Sequence, residues 1–464
     1  MKTPVITISL VLLLASDILS QAKFRKLPTS INHPSINLSA PFISADGNGL
    51  VFISDNAEDN VLTPFFSFRN PDWTVPREFP KTIYSRLNFL RGFALSADGT
   101  KLFYTTIMGP GVGGFDIWTS DWNGSSWSTP TNLGIPINSK GNDGCPSVTP
   151  DGRTIYFTRC DKMDHEQATN CKILRATRKP NGTWGEPEEL PAHINSGNSQ
   201  APRIMADGGN LIFSSDRIQP SKGGFDLFIT TFSDGEWSTP KPLDFVNTPL
   251  DDQYVSATAL GRYLLLGQMG PRKSELVEHL FPDNLRPKGM MKIVGKIVDA
   301  SGQPVASYIS IEDIQTRTRF FHGRPEADGS FTCYLREGTR YRMSIDPEQD
   351  HLTWYSREFD LSTDRIPQIE KVNVTLNALN EGDEIGLDMF SFAPYSSEVE
   401  FTGSEAELRR LTRLVDGNPD FSFEIQVLLE GYVQDSIQSD PDLTEVIYDS
   451  THVVYDDIDS LGQL

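Results

Sequence analysis

The residues able to do chemistry in this chain are few and far apart. Seven histidines are scattered along 464 residues. His165-Glu166 opens a zinc-protease-like phrase but lacks the second histidine one helical turn on. His322 and His351 each stand alone, at no spacing that lets two imidazoles share a metal. The chain holds no Gly-x-Ser-x-Gly turn to present a nucleophilic serine, no phosphate-cradling P-loop and no dinucleotide fingerprint after a strand. Nothing in the sequence marks a carboxylate pair for glycosidic cleavage, although a fold that gathers distant loops can assemble one. No cofactor, no metal and no catalytic residue is therefore expected. The four cysteines are Cys145, Cys160, Cys171 and Cys333. Cys160 and Cys171 flank a polar loop between two strand-like runs, 154–158 and 172–176. The ends of such a hairpin come close enough for a disulfide, which is the expectation in an exported chain. The metal alternative is weaker, because the spacing fits no zinc motif and only His165 lies between them.

The elements that must position these residues come from a repeat. A small residue or proline, alternating apolar positions, Asp-Gly and a second apolar run recur at Asp46-Gly47, Asp98-Gly99, Asp151-Gly152 and Asp207-Gly208, with a degenerate copy at Leu260-Gly261. The spacings are 52, 53, 56 and 53 residues. Asp-Gly between two apolar strands is a hairpin signal, since both residues tolerate the backbone of a tight turn. A second hairpin follows in the better copies. Gly113-Gly-Phe-Asp-Ile-Trp118 and Gly223-Gly-Phe-Asp-Leu-Phe228 read as third strands, and the turns at Asn123-Gly124, Asn181-Gly182 and Asp234-Gly235 lead into Trp127, Trp184 and Trp237. Four strands in about 50 residues is the signature of a propeller blade. The linkers ending in Asn138, Asn195 and Asn247 have a counterpart in Leu27-Pro-Thr-Ser-Ile-Asn32. The chain is thus expected to begin with the fourth strand of a blade whose other strands come from residues 254–285. Closing the ring in this way leaves no exposed sheet edge. Five copies predict a five-bladed β-propeller over residues 23–288.

These five in-phase copies resemble the WD40-like, TolB-like propeller repeat of bacterial envelope proteins, over about 260 residues. Residues 120–127 also resemble the Asp-box of sialidases, which is itself a turn motif and implies no glycosidase chemistry. The repeated Asp-Gly pairs read as turns and the tryptophans as core.

Residues 289–380 read as a small β-sandwich, from short strands with turn signals at Ser301-Gly302 and Asp328-Gly329 and no helical pattern. The order of strand, Asp299-Ala-Ser-Gly-Gln-Pro-Val305, strand and Ala327-Asp-Gly-Ser-Phe331 resembles carboxypeptidase-regulatory-like domains, which are non-catalytic spacers.

Residues 381–464 carry 20 acidic residues against three arginines, a net charge of −17 within the chain's −21. A strand ends near Phe392. Ser404-Glu-Ala-Glu407 is a capping box that starts a helix with an apolar stripe at Leu408, Leu411, Leu414 and Val415, and residues 421–431 alternate as a strand. This α/β pattern resembles the first half of an OmpA-like peptidoglycan-binding domain. The family's ligand-binding Asp falls on Gln434, with Asp435 adjacent, and no counterpart of its binding Arg follows before Leu464. A partial OmpA-like unit, degenerate or incomplete, is the expectation.

Residues 1–22 read as a signal peptide: a basic start at Lys2, a short apolar run and small residues at Ser20 and Ala22. That run is too short for a membrane anchor, and no other segment is apolar enough for a transmembrane helix. The acidity argues against nucleic acid as a partner. The three resemblances together imply a non-enzymatic, exported scaffold in the periplasm, associated with the outer membrane. Its propeller would bind an envelope or outer-membrane protein and its C-terminal unit would be directed to peptidoglycan. The combination is similar to Bacteroidetes envelope proteins, including connectors of type IX secretion. The alternatives are a propeller glycoside hydrolase or peptidase, or a glycan-binding module.

Overall fold

The computed structural model describes residues 24–56, 61–84, 92–163, 168–363, 366–383, 390–392, 399–401 and 405–424. The expected signal peptide, Gln434 and Asp435 lie outside them. The chain is mainly β, with 47% strand and 4% helix, and it divides into two compact units, Met1–Met290 and Met291–Leu464.

The first unit is a succession of antiparallel sheets of four strands, the fourth of which gains a short fifth strand, Glu236–Trp237, paired with Asp226–Ser233. The first sheet comprises Asn37–Ile43, Gly49–Asn56, Val61–Phe68 and Arg77–Glu78. The second has Phe93–Leu95, Lys101–Thr106, Asp116–Asp121 and Thr131–Asn132. The third has Asn142–Val148, Thr154–Cys160, Lys172–Thr177 and Glu188–Glu189. The fourth has Ser199–Ile204, Asn210–Ser215, Asp226–Ser233 and, outermost, Lys241–Pro242. In the fifth, Val255–Ser256, Tyr263–Met269 and Ser274–Leu280 are completed by Phe24–Lys26, which pairs antiparallel with Ser274–Leu280.

Alternating apolar residues bury both faces of these sheets, so each sheet shares a core with its neighbours. Phe42, Val51, Phe93 and Leu102 join the first sheet to the second. Ile117, Ile155 and Phe157 join the second to the third, and Tyr156, Ile173, Leu211 and Phe213 the third to the fourth. Ile212, Leu227, Val255 and Leu264 join the fourth to the fifth, and Leu38, Leu50, Leu265 and Leu276 join the fifth back to the first. The circle of cores is closed.

The Asp-Gly turns have a shared mechanism. The carboxylates of Asp46, Asp98, Asp151 and Asp207 each accept a bond from the backbone N–H two residues on, at 3.0–3.1 Å. The following glycines hold φ of 68–75°, which favours glycine over any residue with a Cβ.

In the second unit, Met290–Asp299 is flanked by Ser330–Arg336 on one side and by Ile369–Lys371 and Val374–Leu376, both parallel to it, on the other. A second sheet orders Thr318–Gly323, Ser307–Asp313, Arg340–Pro347 and Tyr355–Asp360. Ile293, Ile297, Ile309, Ile311, Met343 and Ile345 are buried. At Gly295 a Cβ would fall 1.9 Å from the Val372 carbonyl oxygen, so that crossing requires glycine. The hairpin Phe390–Phe392/Val399–Phe401 and the helix Glu405–Gly417 belong to this unit. Arg410 pairs with Asp346, and Asn418 Nδ2 caps the Leu414 carbonyl at 2.7 Å.

The helix expected after Ser404 forms as Glu405–Gly417. Only Leu414 of the helix stripe is buried, while Leu408 and Val415 are exposed. Of the strand expected over 421–431, the described part, 421–424, is not extended into a ladder. The Phe421 N–H instead bonds the Asn418 carbonyl at 3.1 Å, so the turn after Asn418-Pro419 takes a donor that a strand would need.

Candidate functional site: the axis and the loop end

Within the innermost strand of the first, third and fourth sheets, and immediately before that strand in the second and fifth, one residue has positive φ. These are Ala40 (46°), Gly92 (78°), Cys145 (50°), Ala201 (51°) and Tyr254 (56°). Pairing register shifts beside them, between Ser39 and Phe42, Gly144 and Ser147, and Gln200 and Arg203. An extra residue in the left-handed region is a β-bulge, and proline follows it at positions 41, 146 and 202, where no ladder N–H is needed. At Gly92 a Cβ would lie 2.8 Å from the Cys145 Cα, which fixes glycine in that copy.

Arg203 lies where these five strands meet. Its Nε donates to the Val255 carbonyl at 2.7 Å, and one terminal nitrogen donates to the carbonyls of Phe93 at 3.2 Å and Pro146 at 3.3 Å. Its guanidinium carbon lies 4.3 Å from the centroid of the Phe42 ring. One side chain therefore touches the first strand of every sheet but its own, to which it is covalently attached. Burial pulls its pKa down to about 9, still well above neutrality, so the axis carries a positive charge.

Antiparallel order assigns two ends to this unit. The Asp-Gly turns and the turns at Asn123, Asn181 and Asp234 share one end. The connections from second to third strand, such as 107–115 and 216–225, and those from sheet to sheet, such as 133–141 and 243–254, share the other. The loop end is laced across sheets. The Phe115 N–H donates to Asn142 Oδ1 at 3.2 Å while the Asp143 N–H donates back to the Phe115 carbonyl at 2.7 Å. Phe225 does the same with Asp251 and Asp252, and Cys171 with Asn198 and Ser199. Cys171 thus stands where the neighbouring sheets place a phenylalanine, and it is disulfide-bonded to Cys160, with Cα atoms 4.1 Å apart. Cys145 and Cys333 are buried thiols, and burial pushes the Cys333 pKa up to about 12.

The buried carboxylates at this end hold their own loops. Asp116 accepts from the Val112 N–H at 2.6 Å and from Asn132 Nδ2 at 2.9 Å. Asp143 accepts from the Ser139 N–H and hydroxyl, both at 2.7 Å, and from Arg159 Nε at 2.6 Å. Burial raises the Asp143 pKa, against the lowering pull of Ser139 and Arg159. Asp226 accepts from the Lys222 and Gly223 N–H groups, but its Oδ1 is buried with no hydrogen-bond partner among the described residues. Pro242 stands in the register position that Asn132 fills in the second sheet and has no donor to offer.

Four linker asparagines act as side-chain rungs of the sheets. Asn32, Asn138, Asn195 and Asn247 accept from the N–H of Leu276, Ile117, Ile173 and Leu227 at 2.8–2.9 Å. Their amide nitrogens return a bond to the carbonyl of the same residue at 2.9–3.1 Å.

Sequence reasoning named the disulfide cysteines but missed Arg203 and Trp73. The signal for Arg203 is its position after Pro202, where the other copies place Phe42 and Ser147. Trp73 bridges to Arg69 as Trp127, Trp184 and Trp237 pair with Trp122, Arg178 and Phe232. His165 lies outside the described residues. His322 stacks on Tyr308 at 5.8 Å and His351 is exposed.

No family model and no curated protein matches the chain. Among solved structures, TolB from Acinetobacter baumannii is 17% identical, over 63% of this chain and 67% of that one, with a TM-score of 0.34. The endo-arabinase from Bacteroides thetaiotaomicron is 16% identical, over 55% of this chain and 99% of that one, with a TM-score of 0.36. Bacillus subtilis arabinanase Arb43A is 14% identical, over 53% and 94%, also with a TM-score of 0.36. Likeness at this level carries no argument about function.

Proposed function

We propose that this protein is an exported cell-envelope scaffold without catalytic activity, built on a five-bladed β-propeller whose loop end binds an envelope or outer-membrane protein. The blade count is supported by five sheets linked through a closed circle of cores. The observation that carries the functional reading is the use made of the axis and the loop end. Arg203 ties the inner strands together at the axis, and Asp116, Asp143 and Asp226 hold backbone amides of their own loops. Rigid loops anchored this way suit recognition of a macromolecular surface. In this reading the sandwich spaces the propeller from a partial OmpA-like unit directed to the outer membrane and peptidoglycan. Because Gln434 stands in the place of the family's Asp, direct wall binding is weak.

Two measurements test this. The full chain, expressed in its own cell, cross-linked and purified, recovers an outer-membrane or periplasmic protein; recovery of no envelope protein contradicts the scaffold reading. Sedimented with purified peptidoglycan, the chain stays largely in the supernatant, and robust pelleting contradicts the weak-binding assignment.

A further inference from the structure

The groove between the third and fourth sheets departs from its counterpart between the first and second. There, Phe66, Phe79, Trp122 and Trp127 fill the space, with ring centroids 4.9–5.8 Å apart. Strand register places Arg175 where Phe66 stands, since Arg175 faces Glu188 as Phe66 faces Arg77. Phe232 and Trp237 pair across their hairpin as Trp122 and Trp127 do. One aromatic is thus replaced by a cation, and a cavity of about 350 Å³ opens, lined by Arg175, Glu188, His193, Phe232, Glu236 and Trp237 among others.

We propose that this groove binds a saccharide of one or two pyranose rings. The volume lies within the range of small-ligand sites. Phe232, partly exposed and backed by the buried Trp237 with centroids 5.1 Å apart, offers an apolar wall for the C–H face of a sugar ring. Arg175 is steadied by its stacking over Phe232, 5.4 Å from the ring centroid, and lies 3.4 Å from the Glu188 carboxylate. The contact is one long hydrogen bond from a single terminal nitrogen rather than a bidentate pair, and Arg175 also bonds the Tyr156 hydroxyl. This leaves donors and acceptors side by side, which is what neighbouring hydroxyls, each both donor and acceptor, require. Three carboxylates, Glu188, Glu189 and Glu236, stand against one guanidinium in the lining and repel an anionic ligand, whereas a neutral polyol meets no such repulsion. The site lies between outer strands, away from the axis, and does not depend on the scaffold reading.

The test is titration of the full chain with chitotriose, cellotriose and maltotriose, followed by tryptophan fluorescence and calorimetry. At least one of the three binds saturably. Glu188→Gln and Arg175→Ala each weaken that binding tenfold or more with the thermal midpoint held within a few degrees. Arg77→Ala, in the filled groove between the first and second sheets, leaves it unchanged. Saturable binding by none of the three sugars overturns the proposal. So does binding that survives both groove variants, or binding of an oligolysine peptide at this groove in place of the sugars.

Discussion

At the residue scale, the repeat uses the same few devices in each copy, and this governs what the sequence reveals. Asn32, Asn138, Asn195 and Asn247 recur at one position, so they stand out as a repeated letter; their role as two-bonded rungs emerges only when the third strands lie beside them. Replacing Asn195 by Ala strands the buried Ile173 N–H and removes a second bond from the Ile173 carbonyl, which keeps the Leu190 N–H, and it is expected to lower unfolding stability by about 2 kcal/mol. Asn195→Asp keeps the acceptor and loses the donor, and is expected to rescue little. Denaturant titration checks both. Arg203 is the opposite case: it occurs once, and a lone arginine in a strand reads as ordinary until three carbonyls and Phe42 are found around it. Arg203→Met leaves those carbonyls without a donor and is expected to cost about 3 kcal/mol. Arg203→Lys is expected to fall well short of the native protein, because one ammonium cannot span carbonyls from three strands while lying flat on Phe42. A native-like midpoint for the lysine variant would contradict the role assigned to the guanidinium.

At the element scale, the hairpins were legible because Asp-Gly turns and alternating apolar runs are local signals. The inner-strand bulges were not, since Ala40, Cys145, Ala201 and Tyr254 are poor advertisements for positive φ and only the crowded axis imposes it. The closing strand Phe24–Lys26 is held by Arg25–Glu278 and Lys26–Glu275 pairs, both at 2.5 Å, on a short backbone ladder. The hydrogen bond from Lys26 holds the Glu275 carboxyl below its usual range, assisted by the Lys26 and Lys273 charges. A carboxylate with a lowered folded pKa contributes stability above its unfolded pKa and loses it as pH falls through the folded value. Hydrogen-exchange protection of Arg25 and its ladder partner Glu278 should therefore decline below about pH 4 ahead of the Lys101–Thr106 strand. Simultaneous loss would contradict the clasp. Separately, a disulfide closing an 11-residue separation is expected to contribute about 3 kcal/mol. Cys160→Ala paired with Cys171→Ala should lower the midpoint accordingly, with the loop between them becoming the first site of proteolysis.

At the scale of the whole molecule, the charge of −21 is concentrated in residues 381–464, and the first 380 residues are nearly balanced at −4. The first unit therefore presents shape and local chemistry rather than a net field. Its two ends differ by construction: one is a set of tight turns held by Asp carboxylates, the other a set of longer loops laced between sheets. Exposed apolar side chains at the loop end include Ile107, Leu250 and Met269. The most direct test is site-specific photo-cross-linking in the cell of origin. Photoreactive residues are placed singly at Ile107, Leu250 and Met269 on the loop end and at Asp98, Asn181 and Asp234 on the turn end. The scaffold account predicts adducts to one envelope protein from loop-end positions and few or none from the turn end. Adducts confined to the turn end, or absent from both, would contradict it.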